Sequence, residues 1–110
     1  MRVEPFRIVH EENEKHTILH LIGELDLSVI PQLQGALKPV LNRTDKALVL
    51  NLNGLTYIDS TGIGIIVSVL KVRDQMKAPF FIREIPSSVQ RLFDLTGISR
   101  YLTEGTEAGA

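Results

Sequence analysis

The chain has 110 residues, of which 44% are hydrophobic and 23% charged, and it carries a formal net charge of −1 with no cysteine. This composition excludes a disordered chain, a disulfide-stabilised domain and a protein that holds nucleic acid on a basic surface. The length is typical of a single domain. No secretion signal is visible, and the longest apolar stretch, Ile63–Val72, is interrupted by Gly64 and Ser68 and is too short to cross a bilayer. We therefore expect a cytoplasmic protein.

Two strand-like segments open the chain. Phe6–His10 and Thr17–Gly23 are short and apolar, and the polar turn Glu11–Lys15 separates them. A helix is predicted next, because apolar residues recur at intervals of three and four, at Ile30, Leu33, Leu37 and Leu41.

Three residues define the expected limits of this first helix. Ser28 is a natural N-cap, and Pro31 falls within the first turn, where a missing N–H costs little. Pro39 should kink the helix or end it early, because proline lacks an N–H and its ring clashes with the preceding turn.

Strands and helices also alternate in the second half of the chain. Ala47–Leu52 is typical of an interior parallel strand, and Pro79–Ile85 predicts another strand. Residues 86–97 predict a final helix with serine cap candidates and Gly97 as its C-terminal stop. Its apolar positions are Val89, Leu92 and Phe93. The tail, residues 103–110, has nothing large to bury and should be loose.

This alternation predicts the α/β fold class. We expect a single domain with a mostly parallel sheet of four to five strands packed against α-helices. The first hairpin would add an antiparallel strand at the N-terminal edge of that sheet. No repeat, linker or second domain is visible in the sequence.

The stretch Tyr57–Val67, "YIDSTGIGIIV", is ambiguous, because its β-branched residues favour a strand. A helix from Ser60 to Met76 is predicted instead. The segment is long, Asp59 and Ser60 are strong helix-start residues, and parallel strands on either side require a crossover. The apolar residues of this helix form two overlapping stripes, wider than one sheet-facing surface needs. Deep burial explains this width, and contact with a partner protein is the alternative.

Ser60 could cap the helix, attack a substrate or receive a phosphate. The nucleophile-elbow pattern is incomplete, because position 58 is Ile, and no histidine is near in sequence. Glycine-rich phosphate-binding motifs are absent, and His10, His16 and His20 form no convincing metal site. We therefore expect no catalytic residue, metal or cofactor. A phosphoserine is compatible with a helix start, because the helix dipole and free N–H groups favour negative charge there.

The chain resembles the anti-sigma factor antagonists, the stand-alone bacterial members of the STAS domain family, over about residues 3–102. Three segments carry the resemblance: "GELDL" (Gly23–Leu27), "LNGLTYIDSTGIGIIV" (Leu52–Val67) and "VQRLFDLTGI" (Val89–Ile98). The first looks like the loop between the second strand and the first helix. The second resembles a phosphorylation motif, Asp-Ser-[Ser/Thr/Ala]-Gly, that opens a helix, and the third is similar to the C-terminal helix of the family.

The resemblance implies a phosphorylation switch. Ser60 aligns with the serine that the partner, an anti-sigma factor with serine protein kinase activity, phosphorylates. The unmodified protein binds this kinase and releases the sigma factor, whereas the phosphorylated protein does not bind, and a metal-dependent serine phosphatase resets it. Asp59 and Asp26 align with acidic residues beside the acceptor, and Thr61 and Gly62 complete the motif.

Several alternatives stay open at this point. Asp59 is either a helix cap or a contact to the kinase, and Asp26 is either a solvated loop acid or a partner contact. Thr61 carries a second hydroxyl next to that of Ser60, so which of the two receives the phosphate is also open. The chain could also be a scaffold subunit of a stress-sensing assembly, or a domain that binds a small ligand or serves a transporter. Neither nucleic acid nor a membrane is an expected partner, and no enzyme activity of its own is expected.

Overall fold

The computed structural model describes residues 5–98. Its strands are β1 (Arg7–Glu12), β2 (His16–Leu25), β3 (Ala47–Ile58) and β4 (Phe80–Arg83), and its helices are α1 (Ile30–Leu41), α2 (Ser60–Gln75) and α3 (Ser87–Thr96). A short 3-10 turn, Leu27–Val29, precedes α1. The predicted domain limits, 3–102, and the predicted loose tail, 103–110, extend beyond the described residues.

One mixed sheet organises the described chain, with strand order β1-β2-β3-β4. β1 is antiparallel to β2, whereas β2, β3 and β4 run parallel. The expected fold class, a mostly parallel sheet with an antiparallel N-terminal edge strand, is therefore confirmed. It follows from elementary geometry, because a short turn can join only antiparallel neighbours and parallel neighbours need a helical crossover.

The helices and one face of the sheet share a single hydrophobic core. Buried residues alternate along β2, and the core contains inner-facing strand residues together with residues from α1, α2 and α3. The opposite face carries only a small buried cluster, Ala47, Val49 and Phe81, with Ile18 packed against it. This second cluster consists of strand residues alone, so the described helices leave that face of the sheet open.

The helix limits differ from the expectations at two caps and one proline. The predicted Ser28 cap is wrong, because Asp26 accepts the backbone N–H of Ser28 and α1 begins only at Ile30. The serine caps predicted for α3 are also wrong, since Pro86 occupies the N-cap position without a side-chain hydrogen bond. Pro39 lies inside α1 and does not end it early. It is only two residues from the end of the helix, so its missing N–H and its ring disturb the hydrogen bonds near that end alone. Gly97 ends α3 as predicted, with a φ of 83° that glycine adopts without strain.

β3 is the largest correction to the expected strands. It was predicted to end at Leu52 and instead continues to Ile58. Two irregularities in its pairing with β2 allow this extension. At the first, a side chain on Gly54 would lie 2.8 Å from Ile22 Cγ1, so only glycine lets the strands approach there. At the second, Thr56 Oγ1 donates to Gly23 O at 3.1 Å.

The limits of the other three strands differ from the predicted limits by a few residues. β1 reaches Glu12, beyond the predicted end at His10, and the turn shortens to the residues around Asn13, whose side chain accepts two backbone N–H groups. β2 continues to Leu25, so the first half of the "GELDL" segment belongs to the strand and only its end forms the loop. β4 is shorter than the predicted 79–85, because Glu84 has a φ of 54° that breaks the strand.

Two charged side chains link the elements at the end of the sheet where the parallel strands β2, β3 and β4 begin. Arg73 of α2 is fully buried, and its guanidinium donates to the backbone carbonyls of Leu41, Arg43, Lys46 and Pro79. It thereby joins the end of α1, the start of β3 and the start of β4. Burial lowers the pKa of Arg73. Nearby on the surface, the Glu12 carboxylate accepts from Lys46 Nζ at 2.6 Å and from Arg43, which ties the end of β1 to the α1–β3 connection.

Candidate functional site

Ser60 lies where β3 passes directly into α2. Only Asp59 separates the last residue of the strand, Ile58, from the first residue of the helix. The backbone N–H of Asp59 still donates to Leu25 O of β2 at 3.1 Å, so the sheet pairing continues up to the helix start. The position of Ser60 is therefore set by the sheet and not by a loop.

Asp59 caps α2. Its backbone is extended, and its Oδ1 accepts the N–H of Gly62 at 3.0 Å. Aspartate is among the preferred N-cap residues because its carboxylate satisfies a first-turn N–H that has no partner within the helix. The interpretation of Asp59 as a helix cap is confirmed.

The second oxygen of the same carboxylate joins a separate loop to the helix start. Asp59 Oδ2 accepts the backbone N–H of Leu27 at 3.2 Å. Leu27 lies in the segment between β2 and α1, so two of the sequence segments singled out above meet at one side chain. Sequence analysis predicted acidic residues beside Ser60, but it did not predict this bridge, which depends on parallel pairing between β2 and β3.

Ser60 itself is exposed, and its hydroxyl makes no hydrogen bond to any residue in the range 5–98. Thr61 is half-buried, so the two neighbouring hydroxyls differ in access. Gly62 is buried beneath them. A Cβ at Gly62 would lie 2.9 Å from both Ile58 Cγ1 and Leu25 Cγ, which shows that this glycine allows α2 to pack closely on the ends of β2 and β3.

Asp26 belongs to the neighbouring loop and is engaged within it. Its Oδ1 accepts from the Ser28 backbone N–H at 3.0 Å and from the Ser28 hydroxyl at 2.6 Å. It is half-buried, whereas the next residue, Leu27, is exposed. The structure thus brings Asp26 and Asp59 to the same edge of the sheet and gives each of them a structural role in starting a helical turn.

Two large exposed apolar side chains belong to the segments that meet here, and sequence analysis did not single them out. Leu27 is 67% exposed and Tyr57 is 48% exposed. Leu27 adjoins Asp26, and Tyr57 is three residues before Ser60. The signal for Leu27 was available, because an apolar residue between two polar turn residues, Asp26 and Ser28, has no core to face. Tyr57 was hidden by the expectation that β3 ends earlier.

The outward side of α2 is uncovered by the described chain. Ile63, Ile66, Val69 and Leu70 are buried, which explains the inner apolar stripe by packing. Ile65, Val67 and Val72 are only half-buried. Gly64 is exposed, and nothing lies within 4 Å of the position that a Cβ would take there. Packing therefore accounts for the inner stripe and for part of the outer one, since Ile65 and Val67 also lie against the core, and contact with a partner protein stays a prediction.

The three histidines lie away from Ser60. His10 is on β1, and His16 and His20 are on β2. His20 Nε2 lies 2.8 Å from Glu11 Oε1, and His10 Nε2 lies 3.2 Å from Glu12 Oε1. Across residues 5–98, no group of three or more His, Cys, Asp or Glu side chains is arranged to hold a metal ion. Within the same range no helix is both long enough and apolar enough to cross a membrane.

Comparison with known proteins agrees with this arrangement. The STAS domain family model matches residues 7–110. The anti-sigma-B factor antagonist of Staphylococcus aureus is 34% identical over 87 residues, which cover 77% of this chain and 81% of that protein. Among solved structures, the anti-sigma factor antagonist SpoIIAA in its unphosphorylated form has a TM-score of 0.72 at 17% identity, covering 94% of this chain and 90% of the other. Bacillus SpoIIAA in the phosphorylated form has a TM-score of 0.68 at 16% identity, covering 94% of both chains. These two structures establish a shared fold.

Proposed function

Because the chain belongs to the STAS domain family, we propose that it is an anti-sigma factor antagonist whose binding is switched off by phosphorylation of Ser60. In this proposal the unmodified protein binds an anti-sigma factor that is also a serine protein kinase, and the sigma factor is released. The name of the Staphylococcus aureus relative supports the antagonist role, and a solved phosphorylated form of a protein with this fold supports the modification.

One structural observation carries the choice of residue. Ser60 presents a free, exposed hydroxyl at the first position of α2, while Thr61 beside it is half-buried. A kinase must bring the γ-phosphate of ATP in line with the attacking oxygen, so access decides between the two neighbours. We therefore assign the phosphate to Ser60.

The helix start can accept the added charge. A phosphoserine carries about −1.5 to −2 charges at neutral pH. The first-turn N–H groups and the positive end of the helix dipole stabilise such a charge by about 0.3–1 kcal/mol at an exposed site. Since Asp59 already satisfies Gly62 N–H, the phosphate would use the remaining N–H groups of the first turn. The fold should survive modification.

Loss of binding then arises at the surface. Leu27, whose backbone N–H is held by Asp59 at the start of α2, gives a partner an exposed apolar side chain, and Asp26 and Asp59 add negative charge to the same edge. In this proposal the partner packs on Leu27 and covers Ser60. A phosphate there would be desolvated beside two carboxylates, which costs several kcal/mol of binding free energy. A change of about 5.5 kcal/mol would convert a 99:1 bound mixture into its reverse.

Each acidic residue has a defined part in this proposal. Asp59 is a positioning residue, because it fixes both the helix start and the Leu27 loop. Asp26 shapes the loop that displays Leu27. The chain supplies the acceptor hydroxyl, the kinase supplies the catalysis, and a serine phosphatase removes the phosphate. Gly62 contributes close packing and not a contact to the partner.

Mass spectrometry tests this function directly. The full chain would be incubated with the anti-sigma factor kinase from the same organism and ATP, and its peptides would then be analysed. We expect one phosphate on the peptide that contains Ser60, no phosphate in Ser60→Ala, and normal phosphorylation in the matched Thr61→Ala variant. Phosphate in Ser60→Ala, or none in the natural chain, would contradict the proposal.

A further inference from the structure

β1 is an edge strand that only one neighbour covers. Within residues 5–98 it pairs with β2 alone, and five of its six residues are exposed. The outward row of backbone N–H and C=O groups on such a strand can pair with another strand. The described part of the chain provides no helix or loop over this edge.

The side chains of β1 on the open face of the sheet form a short charge pattern. Arg7, Val9 and Glu11 alternate along the strand and therefore share one face. Arg7 has no ion-pair partner among the described residues, and its neighbour across β2 is Ile22. Glu11 is 61% exposed at its side chain, and its Oε1 lies 2.8 Å from His20 Nε2. Val9, at the centre, is 44% exposed.

We propose that β1 pairs antiparallel with β1 of a second copy of this chain, about a two-fold axis at Val9. In this register Arg7 lies opposite Glu11 of the second copy, and Glu11 lies opposite Arg7 of the second copy. The two Val9 side chains meet on the axis. A symmetric interface must be self-complementary, and β1 satisfies this requirement in both charge and apolar contact.

The alternation of side chains excludes a neighbouring register. Residues directly opposite each other in an antiparallel pair must point to the same face of the sheet. A shift of one residue would place Arg7 opposite His10 or Glu12 of the second copy, and both of these side chains lie on the other face of β1. The acidic residue on that face, Glu12, already binds Lys46 and Arg43. Glu11 bonds His20 through Oε1 alone, and among the described residues its Oε2 has no hydrogen-bond partner, so Glu11 is the acidic side chain of β1 that can still pair with a second Arg7.

Dimerisation by this edge would leave the phosphorylation site accessible. Ser60 follows β3, which is two strands away from β1. In antiparallel pairing the strands of the two copies run in opposite directions. The two Ser60 residues, which follow the carboxyl ends of the two β3 strands, therefore lie at opposite ends of the strands in the continuous sheet. This inference does not depend on the proposed function. The contact area of two six-residue strands is small, and we expect a weak dimer with a dissociation constant on the order of 10–100 µM.

Sedimentation velocity at a series of protein concentrations tests the interface, and variants that exchange the charges of Arg7 and Glu11 test its register. The full chain should shift from its mass of 12.3 kDa towards twice that value as concentration rises. Arg7→Glu and Glu11→Arg should each raise the dissociation constant at least about tenfold, because like charges then face each other. The double variant R7E/E11R should recover it to within about threefold. Arg91→Glu, an equal charge change on exposed α3, is the matched control and should have no effect.

Two results would overturn the proposal. One is a chain that stays monomeric up to about 1 mM, well above the affinity expected for a weak interface. The other is a dimer that the charge swap fails to restore. Hydrogen exchange of the β1 amides distinguishes a second copy from another segment of the same chain. Protection that rises with concentration supports the dimer, whereas protection independent of concentration contradicts it.

Discussion

Asp59 and Leu27 are 32 residues apart in sequence and are joined by one hydrogen bond, in which Asp59 Oδ2 accepts the Leu27 backbone N–H at 3.2 Å. The other oxygen of the same carboxylate caps α2 at Gly62 N–H. One side chain therefore fixes both the helix that begins with Ser60 and the loop that exposes Leu27. Its removal should affect stability and partner binding together.

Asp59→Ala should destabilise the protein by about 1–3 kcal/mol, because it removes the helix cap and the bond to the loop. Asp59→Asn should cost less, since its amide oxygen can still accept the Gly62 N–H. Urea denaturation followed by circular dichroism would measure both. Asp74→Ala, at an exposed position of α2, is the control and should stay within about 0.5 kcal/mol. Equal effects of the Asp59 and Asp74 variants would show that the bridge is energetically neutral.

Ser60→Asp should retain the stability of the natural chain while losing affinity for the anti-sigma factor by at least about 100-fold, because a charge would be buried at the contact. Isothermal titration calorimetry measures the affinity, and thermal denaturation measures the fold. Ser68→Asp adds the same charge to an exposed position of the same helix and should bind normally. If both variants bind equally well, the contact lies elsewhere.

Gly62→Ala and Gly64→Ala should change stability in opposite directions. At Gly62 the new methyl group would meet Ile58 and Leu25 at 2.9 Å, and such overpacking costs about 1–3 kcal/mol. At Gly64 nothing lies within 4 Å, so alanine should stabilise α2 by up to about 1 kcal/mol through helix propensity. Chemical denaturation of the two variants measures this difference. Destabilisation by Gly64→Ala would contradict the open surface described there.

Glu12 should make stability depend on acid. Hydrogen bonds from Lys46 and then Arg43 lower its pKa to about 2 from the usual 4.5. A carboxylate with a lowered pKa stabilises the fold above its unfolded pKa, and this contribution is lost as pH falls from about 4.5 towards 2. Glu12→Gln should therefore be less stable than the natural chain at pH 7, with the difference vanishing near pH 2. Denaturation at a series of pH values measures this, and the exposed Glu14→Gln is the control. A difference that persists below pH 2 would show that packing, and not charge, is responsible.

Arg73→Met should destabilise the protein by about 3 kcal/mol, because it removes the buried guanidinium that donates to the carbonyls of Leu41, Arg43 and Lys46. The Pro79 carbonyl also loses this donor but keeps the backbone N–H of Leu48. Arg73→Lys should recover only part of this loss, since an ammonium group cannot reach several carbonyls with a planar fork. Urea denaturation compares the two. A lysine variant as stable as the natural chain would show that charge alone suffices.

Much of the fold could be predicted because local preferences agree with the final structure. Asp59 is a preferred cap and does cap α2, and Gly97 ends α3 with a left-handed backbone. The order of strands and helices also predicted a mostly parallel sheet. At the two helix ends a nearby residue decides the local conformation, and for the sheet the order of the elements decides which strands run parallel.

The remainder depended on distant partners. The predicted β3 ended at Leu52, and the residues that follow it, Asn53 and Gly54, disfavour a strand. In the structure Asn51 donates to Glu84 Oε2 at 2.9 Å and accepts the Asn53 N–H at 2.9 Å, so a residue more than thirty positions away stabilises this part of β3. The Asp59–Leu27 bond is equally invisible in sequence. Such contacts exist only after the strands have paired.

The direct passage from β3 into α2 leaves a single residue as the joint. The backbone of Ser60 is therefore held by the sheet on one side and by the helix on the other. In the function that we propose, the kinase would have to bring its nucleotide to a backbone position that is fixed in advance.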